Sequence, residues 1–197
     1  MKPHLTLLFL TLAAGALASS ESSWPQWRGP DRDGRFAGPT WPAKLDTNHL
    51  HKVWQVELGP SYSGPVVAGD RVFTTETKDK KFEVVTCFDR RTGKQMWRTQ
   101  WEGAMSVPFF ARSNGDWIRA TPACDAESLY VAGMRDVLVC LDLQTGAERW
   151  RFDFVKQMEA PSPDFGFVCS PLVDADSVYV QAGASFVKLN KRTGQVL

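Results

Sequence analysis

The chain is written in short apolar runs separated by polar and glycine-containing punctuation. Arg71-Val72-Phe73-Thr74-Thr75, Phe82-Glu83-Val84-Val85-Thr86-Cys87-Phe88 and Ser177-Val178-Tyr179-Val180 have the length and β-branched or aromatic content of strands. The spacing by three and four that an amphipathic helix needs is missing from these segments. The pattern predicts an all-β chain.

The punctuation repeats. Cys87-Phe88-Asp89-Arg90-Arg91-Thr92-Gly93-Lys94-Gln95-Met96-Trp97 aligns with Cys140-Leu141-Asp142-Leu143-Gln144-Thr145-Gly146-Ala147-Glu148-Arg149-Trp150, and Lys188-Leu189-Asn190-Lys191-Arg192-Thr193-Gly194-Gln195-Val196-Leu197 aligns with both. A second landmark precedes each copy: Ser63-Gly64-Pro65, Ala120-Thr121-Pro122 and Cys169-Ser170-Pro171, each followed seven residues after the Pro by the next apolar run. The glycines fall 53 and then 48 residues apart, at 93, 146 and 194. Two landmarks in fixed order at such a period mark a repeat architecture.

Each unit reads as four short strands. The first begins after a small residue and Pro, which a strand start tolerates. A turn leads to the second, the third alternates, and the Asp-x-x-Thr-Gly turn leads to a last strand ending on Trp97 or Trp150. The turn Asp accepts backbone N–H bonds, and Gly supplies the left-handed conformation. Four-stranded units at this period predict a β-propeller, with blades at residues 61–101, 117–154 and 166–197 and a strand at 51–58 that closes a missing blade. About three blades and one closing strand do not complete a ring. The third copy ends one residue before its Trp is due, so the chain is expected to be the N-terminal part of a propeller of about 7 or 8 blades.

The N-terminus follows different rules. Lys2 precedes an apolar run from Leu5 to Leu17 that ends in Ala16-Leu17-Ala18, which predicts a signal peptide over residues 1–18, cleavage between Ala18 and Ser19, and an exported chain. The run is too short for a membrane span of about 20 residues. Residues 19–49 form a lead to the propeller at 50–197. Without Lys2 the chain has 22 Lys and Arg against 22 Asp and Glu, which gives no basic face for nucleic acid. Of the 4 cysteines, Cys87 and Cys140 occupy matching places that suit buried small apolar residues. Whether Cys124 and Cys169 pair across neighbouring units stays open.

With the repeat in place, the chain resembles the PQQ-like (pyrroloquinoline-quinone-type) propeller repeat, whose signature is Asp, then Thr-Gly, then Trp. The lead Trp24-Pro25-Gln26-Trp27-Arg28-Gly29-Pro30-Asp31-Arg32-Asp33-Gly34 is similar to the segment that opens many secreted bacterial members. The resemblance implies that Lys52–Leu58 completes a last blade with Trp54 as its terminal Trp. It also implies one of two roles: a dehydrogenase that oxidises alcohols or sugars with bound quinone and Ca²⁺, or a periplasmic scaffold of the outer-membrane β-barrel assembly machine. The chain lacks the adjacent cysteine pair of the first and the lipidation cysteine of the second.

Candidate chemistry is sparse. His49 and His51 share one side of the predicted strand but lack a third metal ligand. Asp31-Arg32-Asp33-Gly34 resembles the start of a calcium loop, yet the twelfth position is Pro42 rather than Glu, so it reads as a turn. Asp89 and Asp142 belong to separate turns, which argues against an acid–base pair. Arg28, Trp24 and Trp27 suit either a ligand-facing patch or packing of the lead, the latter preferred. The linkers Trp101–Asp116, with Met105, Phe109 and Phe110, and Val155–Asp164, with Pro161 and Pro163, are longer than blade connections require and suit binding surfaces. The repeat-motif residues Asp89, Thr92, Gly93, Trp97, Asp142, Thr145, Gly146, Trp150, Asn190, Thr193 and Gly194 are assigned structural roles. The sequence reads as an exported binding or scaffolding module for protein or cell-envelope partners, with no cofactor expected. The alternative is the front of a PQQ-dependent dehydrogenase, which would carry PQQ and calcium.

Overall fold

A computed structural model describes residues 23–36 and 38–197; the predicted signal peptide and the Ala18–Ser19 cleavage site lie outside them. The apolar runs form three antiparallel sheets. The first contains β1 (Val66–Ala68), β2 (Arg71–Lys78), β3 (Phe82–Asp89) and β4 (Gln95–Glu102), in sequence order. A 3-10 helix at Phe109–Asn114 follows, and then the second sheet: β5 (Ala123–Cys124), β6 (Ser128–Gly133), β7 (Val137–Asp142) and β8 (Glu148–Asp153). The single helical turn α1 (Phe154–Gln157) leads to the third sheet, β9 (Leu172–Val173), β10 (Ser177–Ala182) and β11 (Ser185–Asn190), with Leu189 bridging to Val196. The first strands lie side by side, β5 between β1 and β9. The fold is an all-β propeller array of two four-stranded blades and a third with three strands and a bridge, its ring open.

Two sequence readings need correction. Trp97 and Trp150 do not end the fourth strand; each is the third residue of β4 or β8. Each faces the cysteine two residues before the turn Asp, Trp97 opposite Cys87 and Trp150 opposite Cys140, with a bulge just beyond. The bulge takes up the extra residue between Gly and Trp and swings the indole toward the neighbouring sheet. Residues 51–58 form no strand. They run without a ladder partner, and pairing is what defines a strand.

The core lies between blades rather than within them. One cluster joins Phe73, Val85, Cys87 and Trp97 of the first blade to Leu129, Val131, Val139 and Leu141 of the second. The other joins Tyr130, Leu138 and Cys140 to Val178, Val180, Val187 and Leu189 of the third. Alternation along each strand sends one set of side chains to the preceding seam and the next set to the following one. This explains why central strands such as β6 are buried at every residue.

Candidate functional site

The repeated turn has nearly one geometry in three copies. Asp89 Oδ1 accepts the amides of Arg91 at 3.1 Å and Thr92 at 2.8 Å; Asp142 Oδ1 accepts those of Gln144 at 3.0 Å and Thr145 at 2.8 Å. In the third copy Asn190 Oδ1 takes the amides of Arg192 and Thr193 at 2.9 and 3.1 Å. Gly93, Gly146 and Gly194 close the turns with φ of 69°, 72° and 73°. The hydroxyl and amide of Thr92 hold the Asp89 carboxyl below its ordinary range. Arg149, followed by Thr145, does the same for Asp142 more strongly. Each carboxylate is engaged within its own turn.

Each turn receives the tryptophan of the preceding unit. Trp97 Nε1 donates to the Leu143 carbonyl at 3.2 Å, and Trp150 Nε1 to that of Lys191 at 3.0 Å. Trp54 donates to Arg90 O at 2.8 Å, and its ring lies on Gly93. Residues 51–58 thus supply the tryptophan of a fourth strand without forming the strand.

A second set of contacts crosses the seams near the axis. Thr121 Oγ1 accepts the Gly64 amide, and Ser170 Oγ accepts the Thr121 amide, both at 3.0 Å. The residue before each Pro therefore contributes to a hydrogen-bonded girdle. The landmark read as a strand start also joins blades.

The lead runs along the inner strands. Trp24 pairs with Val67 of β1, Pro25 O accepts the Cys124 amide of β5 at 2.8 Å, and Arg32 Nη1 donates to Pro171 O, just before β9, at 3.0 Å. These bonds cover edges that an open sheet leaves unpaired. Trp24 packs against Gly29 as the packing reading requires, whereas Trp27 is 47% exposed and lines a cavity. Arg28 and Arg32 both lie over the Trp27 ring, at 5.5 and 5.6 Å from its centroid.

That cavity, of about 410 Å³, is lined by Trp27, Arg32, Tyr62, Arg119, Thr121, Val168, Cys169, Ser170 and Gln181. Its charged lining residues are two guanidiniums. Arg119 lies 5.1 Å from the Tyr62 ring centroid, and Tyr62 stands against Trp117 at 5.2 Å. Arg119 Nε is buried without a hydrogen-bond partner.

The first long linker meets Phe165, the residue that follows the second. Phe109 and Phe110 are 81% and 67% exposed, and Phe165 is 46% exposed. Phe110 stands edge-on to Phe109 at 5.7 Å and to Phe165 at 6.1 Å. This forms an exposed aromatic ridge on what we term the loop face.

The remaining candidates are accounted for individually. His49 Nδ1 lies 2.8 Å from Asp46 Oδ1 in an exposed turn, and His51 is exposed. Among the described residues no three His, Cys, Asp or Glu side chains gather as a metal-binding group. Asp33 Oδ1 accepts the Arg35 amide within a turn. All four cysteines are free; burial pushes the Cys124 thiol up to about 12 and the Cys140 thiol up to about 11, values that favour the unreactive thiol. The girdle hydroxyls and two buried carboxylates, Glu83 and Asp136, were missed as functional positions.

Repeated turns, docked tryptophans and blades stacked around an axis define a PQQ-like repeat β-propeller. The profile of a family described as outer membrane protein assembly factor BamB matches residues 43–112 and 80–197, and the chain belongs to this family. No curated protein matches it. Among solved structures it is similar to quinohemoprotein alcohol dehydrogenase from Comamonas testosteroni, at 19% identity and TM-score 0.61 over 92% of this chain and 27% of that one. It is also similar to quinohemoprotein alcohol dehydrogenase ADHIIG from Pseudomonas putida HK5, at 20% identity and TM-score 0.52 over 73% and 21% of the two chains. BamB from Moraxella catarrhalis aligns at 18% identity and TM-score 0.46 over 66% and 32%. The two dehydrogenase likenesses bear on fold. The chain spans about a quarter of the dehydrogenases' length and about a third of that BamB. No helix among the described residues is long and apolar enough to cross a membrane.

Proposed function

We propose that this chain acts as an exported, non-catalytic binding or scaffolding propeller whose loop face receives a protein of the cell envelope. The observation that carries the reading is the Phe109–Phe110–Phe165 ridge: three solvent-exposed aromatic rings, with Phe110 standing edge-on to each of the other two. Clustered exposed aromatics on a rigid scaffold are the usual anchors of protein interfaces. A photo-crosslinking residue at position 110 of the full chain is expected to capture a discrete envelope protein, and the same residue at the exposed Lys94, in the turn at the opposite end of the blade, is expected not to. Phe109→Ser combined with Phe165→Ser should abolish the adduct while thermal stability holds. An adduct of equal yield in that variant overturns the reading.

A second reading, the front of a PQQ-dependent dehydrogenase, is favoured by the axial cavity. Arg32 and Arg119 suit the carboxylates of a quinone cofactor, and Trp27 and Tyr62 offer planar faces. The fit does not extend to the calcium ion, which takes 6–8 oxygen ligands, because the lining contains no carboxylate side chain. When bound, the quinone would accept the substrate's electrons. Dye-linked oxidation of alcohols or sugars by the full protein, dependent on added quinone and Ca²⁺, would support this second reading over the first.

A further inference from the structure

Glu83 is fully buried near the start of β3. Its Oε2 accepts the Trp101 indole N–H at 2.8 Å from the same blade, and its Oε1 accepts the Met134 amide at 2.6 Å from the next. Gly103 and Gly133 press so closely on this carboxylate that a Cβ on either would collide with it. Asp136 occupies the matching place in the second blade, and its Oδ2 accepts the Gly183 amide of the third at 2.6 Å. Both carboxylates stand six residues ahead of the turn Asp, 83 before 89 and 136 before 142, so the feature belongs to the repeat. The third copy has Ala184 there, with φ of 55° against 60° at Asp136. The third copy keeps the hairpin backbone of the second and has lost the carboxylate, whereas Glu83 lies inside the longer β2–β3 ladder opposite Thr77.

A buried carboxylate is costly unless hydrogen bonds compensate its lost hydration. Met134 and Gly183 lie in the β6–β7 and β10–β11 hairpins, where these amides point across a seam instead of along a ladder. An apolar residue at 83 or 136 would orphan them. Around Glu83 stand Arg135, Arg151 and Lys156 with Glu102 and Asp153, whereas Asp136 feels the Asp153 carboxylate. The shared element is the acceptor oxygen, because the surrounding charges differ.

We propose that this carboxylate is a repeat-encoded latch that holds the loop-face hairpin of the following blade. The two seams then open at the loop face independently of each other and of the tryptophan contacts at the opposite end.

Amide hydrogen exchange on the full chain tests the latch. Glu83→Ala is expected to speed exchange at Met134 by about tenfold or more, the consequence of a buried amide losing its acceptor, and to leave Gly183 unchanged. Asp136→Ala is expected to do the reverse. In both variants the turn amides of Gly146 and Gly194 keep their wild-type rates. Loosening of both hairpins by either variant, spread to the turn end, or no change at all overturns the proposal. Where an alanine variant does not fold, Glu83→Gln replaces it: one acceptor oxygen remains, so Met134 stays protected while the Trp101 indole proton exchanges faster. A tenfold loss at Met134 in that variant also overturns it.

Discussion

The indole of Trp97 lies so close to Gly146 that a Cβ on the glycine would come within 2.5 Å of the ring. The two residues belong to different blades, 49 positions apart. Gly146 is therefore required twice, for its φ of 72° and for the ring above it. Gly194 stands in the same relation to Trp150, and Gly93 to Trp54.

Gly146→Ala is expected to destabilise the chain by about 2 kcal/mol or more, combining left-handed strain with a steric clash. Gly69 supplies the control, since its φ is 55° and a Cβ there would meet nothing within 4 Å. Gly69→Ala should cost only the backbone strain, about 1 kcal/mol. Denaturant midpoints for the two variants check the difference, and equal losses would show that the ring contact contributes nothing.

Trp97→Phe keeps a ring in the seam and removes the bond to Leu143 O, for an expected loss of about 1–2 kcal/mol. Trp97→Ala also empties the pocket and should cost about 3–5 kcal/mol. Equilibrium unfolding followed by circular dichroism separates the two.

Thr121→Val keeps the shape and removes the hydroxyl that accepts the Gly64 amide. The expected loss is about 0.5–1.5 kcal/mol, the net worth of a hydrogen bond to a donor that is only partly buried. Faster exchange of the Gly64 amide, measured by mass spectrometry, would accompany it.

Stability should carry two opposed pH dependences. Asp142 lies below its ordinary range because of Arg149 and then Thr145; its contribution is present above the unfolded value of about 3.9 and fades as pH falls through the lower folded value. Glu83 lies above its ordinary range because burial outweighs the Met134 and Trp101 bonds and the charges of Arg135 and Arg151. Its contribution is fully present below the unfolded value of about 4.3 and is lost as pH rises through the folded one. Asp142→Asn, which copies the natural Asn190, should flatten the acid side of a melting-temperature profile. Glu83→Gln should flatten the rise-side loss. The reverse assignment would refute the signs.

Much of the architecture was legible because the physics that sets it is local. Asp89, Thr92 and Gly93 shape their turn through bonds spanning five residues, so the same letters mark the same turn in every copy. Trp97 was assigned a structural role but placed at the wrong end of its strand, because a bulge between Cys87 and Phe88 depends on pairing that the letters do not display. Residues 51–58 alternate like a strand and remain unpaired, since a ladder needs a partner as well as a propensity.

The order of strands, the turns that join them and the family were determined by sequence alone, because short-range hydrogen bonding and a fixed period suffice to specify them. Only the tertiary structure decided what crosses from blade to blade: the girdle of Thr121 and Ser170, the carboxylates of Glu83 and Asp136, and the cavity where Trp27 meets Arg119. These contacts join residues tens of positions apart, and burial gives each polar group its consequence. A Glu reads as a solvated charge in the sequence, and becomes a latch only where the fold removes water and presents an amide.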